Sequence, residues 1–309
     1  MRERVIDGVL YEERPVPGAY TVHGWRGRGH HEIAMRPATT WIEVGPVCSA
    51  PVGMPEGAYV LDEEERQAAT KQAALDASDA EARRAVYQKG NACRARTKCR
   101  RFIKTAAFNE LLTLTYRANQ TCLDLFKKQF REWCRRMKRA LGGKFDYCAG
   151  FELQTRGAWH AHVACHKLPK HVDYAGVTIP AWRLGTEIWR SIVGEDGGMC
   201  FVGGRTQHGA PARRRLSCAR MASYVSKYIT KHYEDVPEER KRYSRSQGLV
   251  EGERYSVTVT GVDTELDAIV LAFECSPGDD IVSHRASRDS FGAMRYWLVT
   301  EPRSGRPHG

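Results

Sequence analysis

The sequence predicts an α+β fold in which amphipathic helices pack around an antiparallel sheet of four or five strands. The run Leu111-Leu-Thr-Leu-Thr-Tyr116 is compact and β-prone, which is typical of a core strand. Residues 145–154 and 158–166 are predicted to form two further strands, and the short connection Thr155-Arg156-Gly157 favours an antiparallel hairpin. Between the first strand and this hairpin, apolar residues recur at helical spacing over 121–141.

The predicted helix over 121–141 has one apolar face, which is formed by Phe126, Phe130, Trp133, Met137 and Leu141. Gly142-Gly143 follows, and glycine is common just past a helix C-terminus. The other predicted elements are helices over 61–107, 181–192, 218–233 and 264–273 and strands over 199–202, 254–261 and 294–300.

The chain is predicted to divide into an N-terminal arm with a helical extension (1–88), a central domain (89–245) and a C-terminal α/β extension (246–309). Residues 1–60 are rich in glycine and proline and lack sustained periodicity, so an irregular arm is expected there. The tail from Glu301 is expected to be disordered.

The net charge of +11 over 309 residues favours a polyanionic partner, usually nucleic acid. The cations cluster at 94–104, 127–139 and 213–215, at a density suited to phosphate contact. The residues expected to contact DNA are Arg94, Arg96, Lys98, Arg100, Arg101, Lys127, Lys128, Arg131, Arg213, Arg214 and Arg215.

The ten cysteines include no Cys-x-x-Cys pair, and the N-terminus lacks the apolar segment of a secretory signal. No run of about 18 apolar residues is present, so no membrane span is expected. The sequence therefore predicts a cytosolic protein with reduced thiols.

Two histidines in the predicted hairpin have the spacing of metal ligands. His160 and His162 are two residues apart, so both imidazoles face the same side of a strand. Glu152 and Gln154 share one face of the neighbouring strand; Glu152 supplies a hard oxygen ligand and Gln154 is the substitute candidate. Three protein ligands would leave positions open for substrate, as in catalytic metal sites.

The spacing leaves other interpretations of the hairpin open. The two histidines are compatible with a solvated strand surface that holds no metal. Cys165 and His166 suggest a Cys/His zinc site, but Cys165 falls on the strand face opposite His160, which disfavours a four-ligand cage.

A second cluster of candidate residues lies in the predicted helix over 218–233. Tyr224 and Tyr228 are spaced at i and i+4, so their side chains share one face about 5–6 Å apart. Lys227 and Lys231 have the same spacing on an adjacent line. Spacing alone is equally compatible with two packing tyrosines.

Taken in order, these motifs resemble the HUH endonuclease superfamily. Leu-Leu-Thr-Leu-Thr, then His160-Ala-His162, then Tyr224-Val-Ser-Lys-Tyr-Ile-Thr-Lys231 are most similar to the two-tyrosine rolling-circle replication initiators of single-stranded DNA phages and plasmids. The segment from Glu152 to His162 is similar to the metal hairpin of that family. The resemblance covers about 120 central residues, from Leu111 to Lys231.

The resemblance implies a metal site on one face of the sheet, with the tyrosine helix against that face and other helices covering the opposite one. It implies that His160 and His162, with Glu152 or Gln154, hold Mg²⁺ or Mn²⁺, which polarises the scissile phosphate. Tyr224 or Tyr228 would attack the phosphorus and leave a 5′-phosphotyrosine and a free 3′-OH. Lys227 and Lys231 would favour tyrosine ionisation or grip the phosphate; these residues complete the expected site.

The implied partners are single-stranded or supercoiled origin DNA and a host helicase and polymerase, in a bacterial cytoplasm. No G-x-x-x-x-G-K-[ST] motif is present, so no fused helicase is expected. The tyrosines follow the histidine pair, unlike in conjugative relaxases. The alternatives are a single-strand transposase or other strand transferase of the superfamily, and a non-catalytic binder of single-stranded nucleic acid. A zinc deaminase is disfavoured because its motifs are missing.

Overall fold

The computed structural model describes residues 3–46, 63–174, 176–203, 216–231, 241, 243–278 and 280–303. The contacts between residues divide the chain into two compact units. One unit, called here the split unit, comprises Met1–Ala85 and Glu253–Gly309; the other, the central unit, comprises Val86–Gly252. In the described part of the chain, no helix combines the length and the apolar character that crossing a membrane requires.

The strands are β1 (Glu3–Ile6), β2 (Val9–Gly27), β3 (His30–Pro46), β4 (Glu110–Tyr116), β5 (Tyr147–Leu153), β6 (Trp159–Cys165), β7 (His171–Tyr174), β8 (Val177–Pro180), β9 (Gly198–Val202), β10 (Tyr243–Arg245), β11 (Glu253–Thr260), β12 (Asp280–Arg288) and β13 (Met294–Glu301). The helices are α1 (Glu63–Thr105), α2 (Leu123–Ala140), α3 (Ala181–Val193), α4 (Cys218–Lys227) and α5 (Glu265–Glu274), with a 3₁₀ turn at Gly194–Asp196.

The central unit is built on a five-stranded sheet in the order β10-β5-β6-β4-β9. Every neighbouring pair in it is antiparallel, and β5 and β6 form the expected hairpin. The α+β class with an antiparallel sheet, predicted from the sequence, is therefore confirmed. The strands β7 and β8, which the sequence did not indicate, form a separate two-stranded sheet.

Helices α2 and α3 cover one face of this sheet with an aromatic core. Phe126, Phe130, Trp133 and Met137 are buried there, as the spacing of α2 predicted, while Leu141 is the half-buried C-cap residue. The Trp133 indole N–H donates to the Gly185 carbonyl at 3.0 Å, so burial leaves its polar atom satisfied. This face therefore carries the main hydrophobic core of the central unit.

The C-terminal part of α1 and the whole of α4 pack against the opposite face of the same sheet. Apolar residues of both helices, such as Phe102, Ile103 and Val225, join Ala164 of β6 in a second core. Gly150 of β5 allows α4 to lie very close, because a Cβ atom there would overlap the Val225 carbonyl oxygen. The helix predicted over 218–233 ends earlier, since α4 stops at Lys227 and the backbone tightens into turns up to Lys231.

The split unit corrects the expectation of an irregular N-terminal arm. Residues 3–46 form three antiparallel strands in a sheet of order β1-β2-β3-β13-β12, with β11 paired to β2. The glycines and prolines that suggested an arm lie at the β2–β3 turn and beside a register shift between Pro15 and Tyr20, which interrupts the alternation of side chains. The partners β11 and β13 lie more than 200 residues away, so no local signal revealed the pairing.

The C-terminal elements confirm three predictions and add one strand. β11, α5 and β13 occupy the positions expected for a strand, a helix and a strand. β12 was not predicted; it has exposed residues on both faces and so lacks apolar alternation. Glu301 closes β13 rather than opening a tail, and residues 304–309 lie outside the described residues.

We expect Gly150→Ala to lower the free energy of unfolding by about 1–3 kcal/mol, because α4 or β5 must move to make room for the new methyl group. Urea titration of the purified chain measures the change. The matched control is Gly90→Ala in α1, where the nearest atom, of Arg94, lies 3.6 Å from the added carbon. This control should stabilise by up to about 1 kcal/mol, since glycine is unfavourable within a helix. Equal stability of Gly150→Ala and the unmodified chain would contradict the close packing of α4.

Candidate metal and tyrosine site

The β5–β6 hairpin places the predicted ligands on the face of the sheet that α4 covers. Glu152 lies directly opposite His160, and Gly150 lies opposite His162. The alternate residues of the hairpin, such as Phe151 and Ala161, belong to the core on the other face. Strand alternation alone therefore brings the carboxylate and both imidazoles to one side.

Glu152 is held by two hydrogen-bonded partners. Its Oε2 lies 2.9 Å from Nε2 of His162, and its Oε1 accepts from Nζ of Lys231 at 3.0 Å. On the other side of the His162 ring, Nδ1 lies 3.4 Å from the Thr113 hydroxyl. His160 differs, because its Nε2 is buried and has no hydrogen-bond partner among the described residues. One imidazole of the pair thus keeps a nitrogen available in a buried polar site.

Both tyrosines of α4 lie against His162. The ring of Tyr228 stacks on the imidazole with centroids 4.4 Å apart, and the ring of Tyr224 meets it edge-on at 5.2 Å. The two phenol rings are 5.4 Å apart, which agrees with the distance expected from their helical spacing. Tyr228 is the C-cap residue of α4 and keeps a helical backbone conformation, so the pair shares one face although the helix ends at Lys227.

The two predicted lysines surround the tyrosines. Nζ of Lys227 lies 4.6 Å from the ring centre of Tyr224 and 4.7 Å from that of Tyr228. Nζ of Lys231 lies 5.9 Å from the Tyr228 ring while it also pairs with Glu152. Both ammonium groups are therefore close enough to the phenols to attract an anion bound beside them.

The pKa values of the site follow from burial and from the neighbouring charges. Burial, the nearby His162 and the nearby Arg156 lower the pKa of His160 to about 4, so its imidazole is neutral at pH 7. Burial by itself would raise the pKa of Glu152, but the hydrogen bonds from His162 and Lys231 outweigh it and the net shift is downward. The carboxylate is accordingly charged and the His160 nitrogen carries a free lone pair at neutral pH.

Tyr228 differs from the expectation that cations favour its ionisation. Burial, the hydrogen bond with Tyr224 and the charge of Glu152 raise the pKa of Tyr228 well above its usual value. Desolvation disfavours the phenolate more than the nearby lysines favour it. Without a further cation, Tyr228 is a neutral phenol at pH 7.

Gln154, the substitute ligand, is engaged elsewhere. Its Oε1 accepts from Nε of Arg156 at 3.1 Å, at the turn between β5 and β6. The same guanidinium donates to the Tyr116 carbonyl at 2.7 Å, so Gln154 belongs to a contact that braces the hairpin on β4. Cys165 is buried in the opposite core, and His166 packs edge-on against Phe108, so neither meets His160.

The side chains of the site are close together but are not arranged around a common centre. Within the described ranges, no group of three or more His, Cys, Asp or Glu residues stands in a metal-binding arrangement. Glu152 instead uses its oxygens to bind His162 and Lys231. Ligation of a shared cation would therefore require rotation of the Glu152 side chain away from Lys231.

The basic residues predicted to contact DNA are distributed on both sides of the central sheet. Lys127, Lys128 and Arg131 belong to α2, which packs on the face opposite the tyrosines. The remaining predicted cations that the structure describes belong to α1, namely Arg94, Arg96, Lys98, Arg100 and Arg101. Arg213, Arg214 and Arg215 lie outside the described residues.

Among the α1 cations, the structure distinguishes two contacts. Nη1 of Arg96 lies 3.4 Å from the Thr230 hydroxyl, so Arg96 is beside the turns that follow α4. Arg101 pairs with Glu251 at 3.5 Å, which neutralises much of its charge. Of these two, Arg96 is the cation on the same side as the tyrosines and therefore the better placed for a phosphate that approaches them.

Two residues of the site were not identified from the sequence. Thr113 meets His162, and strand alternation in Leu112-Thr-Leu114 was a usable signal, because it turns Thr113 away from the core. Gly150 sets the distance between α4 and β5, and no sequence signal identifies it, because the overlapping atom belongs to a residue 75 positions away.

Comparison with known proteins gives one match. Residues 109–233 match a family model described as a replication-associated protein of the ORF2 type. The matched segment, which is less than half of the chain, includes β4, the β5–β6 hairpin and α4. Neither the curated proteins nor the solved structures gave a match. The segment that carries the site is thus similar to replication-associated proteins.

Proposed function

We propose that this protein is a rolling-circle replication initiator that nicks origin DNA of a small phage or plasmid in a metal-dependent, sequence-specific reaction. The observation that carries the proposal is the contact of both tyrosines with His162, directly beside Glu152. A nucleophile pair and a set of metal ligands share one face of the sheet, as that chemistry requires. The family match to replication-associated proteins supports it.

The donor set fits a divalent cation. His160 and His162 offer imidazole nitrogens and Glu152 a charged oxygen, a mixture that suits Mn²⁺ and Mg²⁺ better than thiolate-preferring ions. The buried Nε2 of His160 has no partner among the described residues, and such an atom costs free energy unless something binds it. When bound, Mg²⁺ or Mn²⁺ would supply positive charge against the oxygens of the scissile phosphate.

The tyrosines supply the covalent step. The phenolic oxygen of Tyr224 or Tyr228 attacks the phosphorus, the bond to the 3′-oxygen breaks, and the DNA remains attached through its 5′-phosphate. The phenolic proton is lost and the departing 3′-oxygen gains one, so a free 3′-OH is left for a polymerase. Lys227, which lies over both rings, stabilises the negative charge that develops on the attacking oxygen.

Two adjacent tyrosines allow the reaction to be repeated on one molecule. While one tyrosine holds the first DNA end, its neighbour, whose ring centre is 5.4 Å away, is free to cut the newly made origin. The phosphodiester energy is conserved in the phosphotyrosine, so rejoining requires no nucleotide cofactor. Lys231 would grip the substrate phosphate once Glu152 turns from it to the metal ion.

The partners that this function requires are single-stranded or supercoiled origin DNA and, in the host cytoplasm, a helicase and a DNA polymerase. A single-strand transposase would use the same residues, and a non-catalytic binder of single-stranded nucleic acid would need neither metal nor tyrosine. Incubation with Mn²⁺ and single-stranded circles, followed by denaturation, separates these functions. A covalent adduct excludes the binder, and circular products that retain the origin sequence favour the initiator.

We expect removal of either imidazole to lower the rate of adduct formation by about a thousandfold. A catalytic metal ion contributes several kcal/mol, and each ~1.4 kcal/mol is a factor of ten in rate. The variants are His160→Ala and His162→Ala, measured by gel shift of denatured adduct with and without a chelator. The matched control is His171→Ala, an exposed histidine of β7. Undiminished adduct in the chelator would exclude the metal mechanism.

Glu152 is expected to be a stronger ligand than Gln154, since a carboxylate neutralises a dication and the Gln154 amide is bound to Arg156. Glu152→Ala should raise the Mg²⁺ concentration for half-maximal adduct formation by more than about tenfold. Gln154→Ala should change it less. The reverse order in paired Mg²⁺ titrations would show that the assignment of Glu152 is wrong.

The tyrosine pair makes a distinct prediction. Tyr224→Phe and Tyr228→Phe should each still form an adduct, because the remaining phenol lies one turn away, but neither should complete repeated rounds of replication. The double variant should bind DNA and form no adduct. Peptide mapping of the adducts decides between alternation and a single nucleophile.

Attachment at Tyr228 in the first single variant and at Tyr224 in the second supports alternation. If one tyrosine carries all the DNA, its neighbour is a packing residue. Tyr174→Phe serves as the control, because that exposed tyrosine of β7 lies outside the site.

A further inference from the structure

The split unit contains a basic pocket that the predicted DNA contacts do not include. It has a volume of about 370 Å³, and its lining includes Arg36, Arg285, Arg295, His23 and Trp297. All of these residues belong to strands of the six-stranded sheet. The pocket is therefore built on a rigid surface.

The register of the sheet explains how these side chains meet. Arg285 pairs with Trp297, Trp297 pairs with Ala34, and Ala34 pairs with His23, so one row crosses four strands. The alternate residues Val22, Met35 and Leu298 point to the core under α5, which leaves the row on the opposite face. Ala34 is exposed and small, and it keeps the floor of the pocket open between Trp297 and His23.

The three arginines concentrate positive charge that the protein itself does not neutralise. All three are exposed, and within the described ranges neither Arg36 nor Arg285 pairs with a carboxylate. Nε of Arg295 is 4.0 Å from Asp289, the long limit of an ion pair. Like charges held together on neighbouring strands repel one another, and an anion that binds between them relieves this repulsion.

The aromatic lining indicates what kind of anion fits. Trp297 is partly exposed beside the guanidinium groups, and an exposed indole face offers a stacking surface for a nucleobase. The arginines come from three strands spaced about 4.7–4.9 Å apart, so they present charge over more than the width of one phosphate. His23, whose pKa is lowered by partial burial and by Arg36, adds a neutral ring that contacts Ser256.

We propose that this pocket binds single-stranded DNA, with the arginines on successive phosphates and a base stacked on Trp297. Arginine forms paired hydrogen bonds to phosphate oxygens and is suited to this contact. The proposal rests on the proposed function only for the choice of DNA as the polyanion. It gives the split unit a role in holding substrate that is separate from the chemistry at the tyrosines.

The test uses the full chain with both Tyr224→Phe and Tyr228→Phe, in a chelator, so that binding is measured without covalent chemistry. A fluorescent oligothymidine is titrated by anisotropy at several salt concentrations. The pocket variant is Arg36→Ala with Arg285→Ala and Arg295→Ala. Its matched control removes the same charge from arginines of the split unit that already have carboxylate partners, namely Arg14→Ala, Arg26→Ala and Arg288→Ala.

The pocket variant should make the slope of log affinity against log salt less negative by about 2, because each contact with a single-strand phosphate contributes about 0.7. The control should leave the slope nearly unchanged. An equal loss in both variants, or none in the pocket variant, would overturn the proposal. Because no cleavage is measured, failure here leaves the proposed nicking untouched, and absence of nicking leaves this result valid.

A second measurement addresses the stacked base and requires no substitution. Photocrosslinking of a bromodeoxyuridine oligonucleotide to the full chain, followed by peptide mapping, should place a crosslink within Met294–Glu301. Trp297→Leu should remove this crosslink and weaken binding about tenfold, as expected for the loss of one stacked base. Crosslinks confined to the central unit would overturn the proposal.

Discussion

The candidate site depends on the close approach of α4 to the β5–β6 hairpin. That approach is possible because residue 150 has no side chain, so the Val225 carbonyl can lie where a Cβ atom would otherwise be. The contact brings the tyrosine face of α4 down onto His162, where Tyr228 stacks at 4.4 Å. Protein interiors are packed densely enough that a displacement of one methyl group is transmitted to the neighbouring side chains. The geometry of nucleophile and ligand is therefore set by backbone packing rather than by the polar residues themselves.

The polar residues beneath α4 are satisfied unequally, and this inequality is informative. Glu152 has partners on both oxygens, and Lys231 supplies the positive charge that a dication would otherwise bring. His160 has no partner for its buried Nε2 among the described residues, and its pKa of about 4 keeps it neutral. A buried polar atom without a partner is costly, and proteins that retain one usually do so for a function. Replacement of Lys231 by a metal ion at Glu152 would satisfy both histidines and free the lysine to meet a phosphate.

Positive charge in this protein is divided between structures with different partners. Arg101 in the central unit is neutralised by Glu251, whereas Arg36 and Arg285 in the split unit gather around one pocket. The total of +11 therefore says less about DNA binding than the placement of each cation does. A cation contributes to nucleic-acid affinity when it can release counterions from phosphates, and one already paired with a carboxylate contributes little.

The sequence by itself determined the elements and patterns that depend on near neighbours. Alternation placed Glu152, His160 and His162 on one face, the i, i+4 spacing paired Tyr224 with Tyr228, and the apolar stripe of α2 identified its buried side. Only the tertiary structure decided what depends on residues far apart in the chain. It paired β2 with β11 and β3 with β13, turned an expected arm into a sheet, and assembled the arginine pocket across those strands. Local patterns record periodicity, whereas strand pairing, burial and the net shift of the Tyr228 pKa arise from atoms that meet only after folding.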